Sequence, residues 1–197
     1  MVVSGKQGHV AYPHTCDNAI HKASRIIQAL SSYEFEQGSL DFPGTSLQVT
    51  HVDTGAFTDN LVLVSTRIEF NVRYAWQFNR DSLVKLLASI IGEVDGGASV
   101  SWSRPCESYM SRTNTQKRCL ITIAEKAIVQ ATGRYPVVST SGGAFCGKAD
   151  GRFFASDTTQ VVELGVPNAT IHQVNEHVHL SDIVTLEDIF TDILLSL

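Results

Sequence analysis

Thr66-Arg67-Ile68-Glu69-Phe70-Asn71-Val72-Arg73 is the stretch whose reading decides the fold. Ile68, Phe70 and Val72 alternate with Arg67, Glu69, Asn71 and Arg73, the period of two that marks a strand with one apolar and one polar face. The strand is expected from about Leu61 to Trp76. Upstream, Thr45 to Asp53 reads as a second strand, and residues 1 to 12, rich in Val, Gly and Tyr, as a third. Ala19, Ile20, Ala23, Ile26, Ile27 and Leu30 recur at helical spacing, predicting a helix from about Asp17 to Leu30. Leu83, Leu86, Leu87, Ile90 and Ile91 predict another over Arg80 to Val94, with a short strand following at Ala98 to Ser103.

The order β-α-β-β-α-β suggests a ferredoxin-like layer, one sheet with two helices on one face. Around Ser103 to Thr113, Pro105 and a polar run interrupt the pattern, so a boundary is expected there, dividing the chain into 1–112 and 113–197. The second part is expected to hold a helix from about Thr115 to Gly133, and short strands at Val137 to Thr140 and Gln160 to Leu164. A last helix is expected from about Ser181, with that serine as N-cap. Two helices and a few short strands around a glycine-containing loop bury too little surface to stand alone, so this part reads as a piece of a larger domain.

Composition narrows the function classes. Over 197 residues, 15 Lys+Arg stand against 20 Asp+Glu, a formal charge of −5, with 43% hydrophobic and 18% charged residues. That is a globular composition. Without a basic cluster it lacks the concentrated positive charge of a nucleic-acid binder. The four cysteines (Cys16, Cys106, Cys119, Cys146) form no Cys-x-x-Cys pair, so neither a zinc ribbon nor a thioredoxin-like redox site is encoded. No apolar run reaches the ~18 residues of a membrane span, and Met1 to His9 lacks the order of a signal peptide. A soluble cytoplasmic protein with no nucleic-acid or membrane partner is expected.

The histidines are the candidates for chemistry. His172 follows the apolar run Val161-Val162-Glu163-Leu164-Gly165, where a sheet would present a side chain to a site; a histidine bonded to backbone is the alternative. His177 and His179 would share a face of a strand, as two metal ligands without a third or as a plain polar face. His51-Val52-Asp53 imitates a His-x-Asp metal motif but has no carboxylate pair downstream. His9 and His14 flank a turn, and spacing does not choose between them. Ser139-Thr140-Ser141-Gly142-Gly143 is either an anion-cradling loop or an ordinary one, and no Gly-x-Ser-x-Gly, P-loop or Rossmann fingerprint is present.

Longer strings carry a resemblance. Gly8-His9-Val10-Ala11-Tyr12-Pro13-His14, Asp17-Asn18, the Ser139 to Gly143 loop, Asp150-Gly151-Arg152-Phe153, and Val161 to Gly165 followed by Asn168-Ala169-Thr170-Ile171-His172-Gln173-Val174-Asn175-Glu176 are similar to the succinyl-diaminopimelate desuccinylases. That family belongs to the metal-dependent aminoacylase and carboxypeptidase superfamily, and the resemblance covers only the carboxy-terminal half of its chain. It implies a ferredoxin-like lid and dimerisation domain followed by the C-terminal portion of a zinc-peptidase-like α/β catalytic domain, with Met1 opening inside the lid's first strand.

The implied activity is metal-dependent hydrolysis of N-succinyl-LL-2,6-diaminopimelate to succinate and LL-2,6-diaminopimelate, in lysine and diaminopimelate biosynthesis. The implied cofactor is zinc, two ions per complete site with cobalt as a substitute; His172 is the one metal ligand found in this chain. His9 is implied as a catalytic donor entering the partner subunit's site, and Asn60, Arg73, Gly142, Gly143 and Asn168 as substrate-binding residues. The implied partners are a second copy, joined through the lid, and a missing amino-terminal half carrying the other ligands and the general base. Alternatives are a non-catalytic dimerisation module, half of a split enzyme, or another aminoacylase or dipeptidase of the superfamily. The chain departs from the family's pattern at Ala144 to Ala149, where the loop is longer, and at Val166-Pro167, where the usual order is inverted.

Overall fold

The computed structural model describes residues 1–38, 43–55, 58–74, 77–103, 119–137, 150–156 and 158–197. The chain forms two compact units, Met1–Glu107 and Ser108–Leu197. The boundary expected at 112 lies outside the described residues.

In the first unit, β1 (Val2–Ser4), β3 (Ser46–Asp53) and β5 (Ser65–Arg73) form an antiparallel sheet in the order β1-β5-β3. Val72 and Phe70 of β5 face Leu47 and Val49 of β3, and a register shift follows between Val49 and His51. Residues 98 to 103, expected as a strand, form no more than a bridge: Val2 and Ser99 exchange backbone hydrogen bonds of 2.8 and 2.9 Å. That bridge nevertheless puts the segment beside β1, giving the order Ser99-β1-β5-β3 of a ferredoxin-like sheet.

The long strand expected over Leu61 to Trp76 is broken. Leu61–Val62 is a separate strand, β4, paired with β2 (Gly8–His9), and the register between the two chain segments advances by one residue across the break. β2 and β4 thus extend the β1-β5 ribbon past the Ser65 end of the main sheet.

The helices lie where their apolar spacing puts them. In α1 (Ala19–Ser31), the Asn18 side chain accepts from the backbone N–H groups of Ile20 (2.9 Å) and His21 (3.4 Å), satisfying two of the donors that a helix start leaves open. The helix therefore begins two residues later than expected, after a short 3-10 turn at Pro13–Thr15. In α2 (Arg80–Val94), Asn79 and Ser82 cap each other's backbone reciprocally. Ala23, Ile26 and Leu30 of α1 and Leu83, Leu87 and Ile91 of α2 join Val3, Leu47 and Ile68 in one core, so both helices cover the same sheet face. Full burial of Ile26, Leu30, Ile68 and Leu87 contributes about 1.5–3 kcal/mol each.

The second unit is thinner. Helices α3 (Leu120–Thr132) and α4 (Leu180–Ser196) pack through Ala124, Ala127, Ile189 and Ile193, with Leu120, Ile123, Ile128, Val162 and Leu164 partly buried around them. Gly133 ends α3 with φ of 67°, a left-handed conformation that favours glycine. Three expectations are corrected here. Residues 160–164 form no strand: Val162 and Leu164 pack on the helices, but their backbone has no ladder partner among the described residues. The cap of α4 is His179, without a side-chain bond, rather than Ser181. His177 and His179 lie on no strand. The strand expected at 137–140 falls mostly outside the described residues.

Candidate functional site

The first unit gathers two of the expected site residues. On the β2-β4 ribbon His9 pairs with Leu61, and Val10 N–H donates to Asn60 O at 3.1 Å, so His9 and Asn60 both lie at the tip of the same arm, one residue apart in register. The chain turns sharply after His9, where Tyr12 N–H donates back to His9 O at 2.9 Å and Thr15 donates to Tyr12 O from both its N–H and its hydroxyl. Inside that turn Ala11 N–H donates to His9 Nδ1 at 3.1 Å. The Tyr12 ring tilts against His9 with centroids 5.9 Å apart, and His14 meets its other side edge-on at 6.5 Å. His9 and His14 therefore differ in one respect: a main-chain donor engages the His9 ring.

Arg73 is not brought to this group. It is exposed at the far end of β5, in register with Ser46. The eight steps from Ser65 to Arg73 span about 27 Å at ~3.4 Å per residue, and His9 and Asn60 lie beyond the Ser65 end.

In the second unit His172 and Asn168 belong to a chain of tight turns rather than to a sheet end. Ile171 N–H donates to Asn168 O, Gln173 N–H to Thr170 O and Glu176 N–H to Gln173 O. His172 has φ of 57° and Asn175 φ of 65°, conformations uncommon outside glycine. Thr170, which sequence reading passed over, closes the loop: its hydroxyl donates to His177 O at 2.8 Å and accepts from His177 N–H at 3.1 Å. This closure holds His172 exposed at the bend. His177 and His179 stand edge-to-face at 5.9 Å, and His177 Nδ1 lies 2.7 Å from Asn175 O. Gln160 was also missed: its Oε1 accepts from Leu120 N–H at 2.7 Å, capping α3 from forty residues away, a distance at which sequence carries no signal. Asp150–Phe153 forms a single 3-10 turn. Gly142 and Gly143, with the loop around them, lie outside the described residues.

A zinc site needs three or four ligands within about 2–2.3 Å of one point. Among the described residues, no group of three or more His, Cys, Asp or Glu side chains could hold a metal ion. His172 stands exposed, and His51 and Asp53 gather no third ligand. The described residues do not by themselves fit a zinc centre.

Comparison with known proteins agrees with the fold. Residues 1–98 match the family described as peptidase dimerisation domain. The whole chain is 68% identical to succinyl-diaminopimelate desuccinylase 1 of Alteromonas mediterranea, covering 50% of that protein. It is 46% identical over 98% of its length to succinyl-diaminopimelate desuccinylase 2 of Shewanella loihica, covering 51%. Among solved structures, the yeast dipeptidase Dug1p superposes on 99% of the chain with a TM-score of 0.70 at 11% identity, and aminopeptidase PepT of Bacillus cereus with 0.61 at 16%. The chain covers 52% and 50% of those proteins. At such identities they speak for the fold alone. No helix among the described residues is long and apolar enough to cross a membrane. The chain thus spans about half the length of the curated relatives it matches, its first 98 residues match a peptidase dimerisation domain, and along its whole length it is similar to succinyl-diaminopimelate desuccinylases.

Proposed function

We propose that this chain supplies the lid, the dimer contact and one wall of the substrate site of an amide hydrolase acting on N-succinyl-LL-2,6-diaminopimelate, releasing succinate and LL-2,6-diaminopimelate. The observation that carries the reading is the arm tip, where the Ala11 N–H engages Nδ1 of an exposed His9, whose Nε2 has no partner among the described residues, one strand position from the Val10–Asn60 backbone bond. An N–H at that point is suited to a carbonyl oxygen that gains negative charge as an amide is attacked. Arg73 offers a guanidinium fork for a carboxylate, and Asn168, Gly142 and Gly143 belong to the pocket by resemblance. His172 is the single position that matches a family metal ligand. The zinc centre that the family implies is then completed by residues outside this chain.

In this reading the functional form is a cytoplasmic homodimer joined through the first unit. Support comes from the match to a dimerisation domain and from β3, which pairs with β5 alone among the described residues and exposes Val52. A strand edge of this kind offers unpaired N–H and C=O groups to a second chain. The same reading makes the chain by itself inactive, a dimerisation module or one half of a split enzyme, which is favoured by the lack of a ligand cluster among the described residues.

The test is succinate release from N-succinyl-LL-2,6-diaminopimelate by the purified chain with zinc or cobalt, alone and mixed with the amino-terminal half of the Alteromonas mediterranea relative. Turnover is expected only in the mixture, and is expected to fall about 10²–10³-fold when His9→Ala replaces the native chain, the usual cost of removing one oxyanion donor. Hydrolysis by the chain alone, well above the metal blank, overturns the proposal.

A further inference from the structure

We infer that the Ala11 backbone N–H is a positioning group that locks His9 as its Nε2–H tautomer. This rests on the role proposed above for His9 and adds what fixes the state of its ring. A neutral imidazole carries its hydrogen on one nitrogen, and a donor aimed at the other selects which. Here the Ala11 N–H points at Nδ1 from 3.1 Å, so Nδ1 must be the bare, accepting nitrogen and the hydrogen must sit on Nε2.

The arrangement is a local device. His9 is the first residue of a turn closed by the Tyr12 N–H to His9 O bond, and the side chain of such a residue accepting from the N–H two positions on is the geometry of an Asx turn, with Nδ1 standing where an asparagine or aspartate oxygen would. The turn is braced by Thr15 on Tyr12 O, and the Tyr12 ring stands tilted beside the imidazole with centroids 5.9 Å apart. Nothing among the described residues bonds Nε2. In this state Nε2 only donates. His9 is thereby assigned to a carbonyl oxygen as its target and excluded, in this tautomer, from binding metal or accepting a proton through Nε2.

Cys16 makes the test direct, because it is a natural junction for joining a synthetic segment 1–15 to the remaining chain. The full-length protein is assembled with ¹⁵N in the His9 ring alone, once with the ordinary amide at Ala11 and once with an ester there. The ester deletes that N–H and leaves the Val10 N–H bond to Asn60 in place. Ring nitrogen spectra are recorded at about pH 8, above the ordinary imidazole range.

The amide chain is expected to show the Nε2–H form, and the ester chain a Nδ1–H population raised about fivefold, the weight of one ordinary hydrogen bond. Ala11→Gly, which keeps the N–H, is expected to match the amide chain. A predominant Nδ1–H form in the amide chain, an ester chain with the same ratio, or a glycine chain that shifts like the ester overturns the inference. Turnover takes no part in this readout, so the tautomer lock and the proposed role of His9 in hydrolysis fail or stand separately.

Discussion

Replacing Gly5 by alanine is expected to destabilise the first unit by about 2–4 kcal/mol. A Cβ at Gly5 would stand 2.1 Å from Asp17 O and 2.9 Å from Ala19 N, both main-chain atoms that cannot swing aside. Restoring an ordinary contact to Asp17 O means parting β1 from the start of α1 by more than an ångström. That oxygen also accepts from Lys6 N–H at 2.8 Å, and Asp17 N–H donates to Lys6 O at 2.9 Å. Both bonds then stretch out of range. Two hydrogen bonds at about 1 kcal/mol each, plus about 2 kcal/mol for overpacking, less the roughly 0.7 kcal/mol that alanine recovers from the unfolded chain, give about 3 kcal/mol, the centre of the quoted range.

Gly92, inside α2, has open space where a Cβ would stand, with nothing within 4 Å. It is the matched control, and Gly92→Ala is expected to stabilise by about 0.5–1 kcal/mol. The assay is urea unfolding followed by tryptophan fluorescence. Both tryptophans, Trp76 and Trp102, lie within Met1–Glu107, so the signal reads the first unit. With a urea dependence of about 2 kcal/mol per molar, the Gly5→Ala midpoint should fall by about 1–2 M while that of Gly92→Ala rises. A Gly5→Ala midpoint unchanged, or a Gly92→Ala midpoint that falls as far, refutes the reasoning.

Two further outcomes are expected. In α4, Ile193→Ala should cost about 2–4 kcal/mol, because Ile193 is 7% exposed in the small second core, whereas Leu195→Lys, at 83% exposed, should stay within about 0.5 kcal/mol; hydrogen exchange of the α3 amides reads both. The hydrogen bond from Lys22 to Asp17 raises the Lys22 pKa above its ordinary 10.5, outweighing the lowering by desolvation. A raised folded-state value makes that stabilisation fully present below the unfolded value and lost as pH climbs through the folded one. The stability gap between the native chain and Asp17→Asn should therefore be flat from about pH 7 to 9 and close above the ordinary lysine value; a gap that closes on acidification from pH 7 to 6 contradicts this assignment.

How far the sequence was readable depended on whether an element's partner was local. The limits of α2 were legible because Leu83, Leu87 and Ile91 repeat on one face and their covering sheet needs nothing but that stripe. The apolar run 160–164 looked like a strand for the same local reason, and Val162 and Leu164 do pack on α3 and α4, but a strand exists only with a ladder partner, and none is present among the described residues. The break between β4 and β5 was hidden because Leu61 to Val64 stays apolar through it, while the register advance is set by the opposite segment. Within the site, the residue types at His9, Asn60 and His172 were readable by resemblance. The Ala11 N–H on the His9 ring, the left-handed backbone of His172 and its closure by Thr170 were not, since each is a property of backbone path.

The separation of His9 and Arg73 along one ribbon has a consequence for mixed populations of mutant subunits. Ligand pockets of about 300–1,000 Å³ are roughly 7–10 Å across, far less than the ~27 Å of β5 that lies between the two ends. Under the proposed function, one subunit's His9 and Arg73 therefore serve different pockets of the dimer, each pocket drawing one residue from either chain. A subunit lacking His9 and a subunit lacking Arg73, each inert with its own kind, then share two pockets unevenly: one pocket inherits both lesions and the other neither. Coexpression of two dead alleles would return one pocket of each mixed dimer to work, roughly a quarter of all pockets under random pairing at equal expression, a form of genetic complementation written into the length of a single strand.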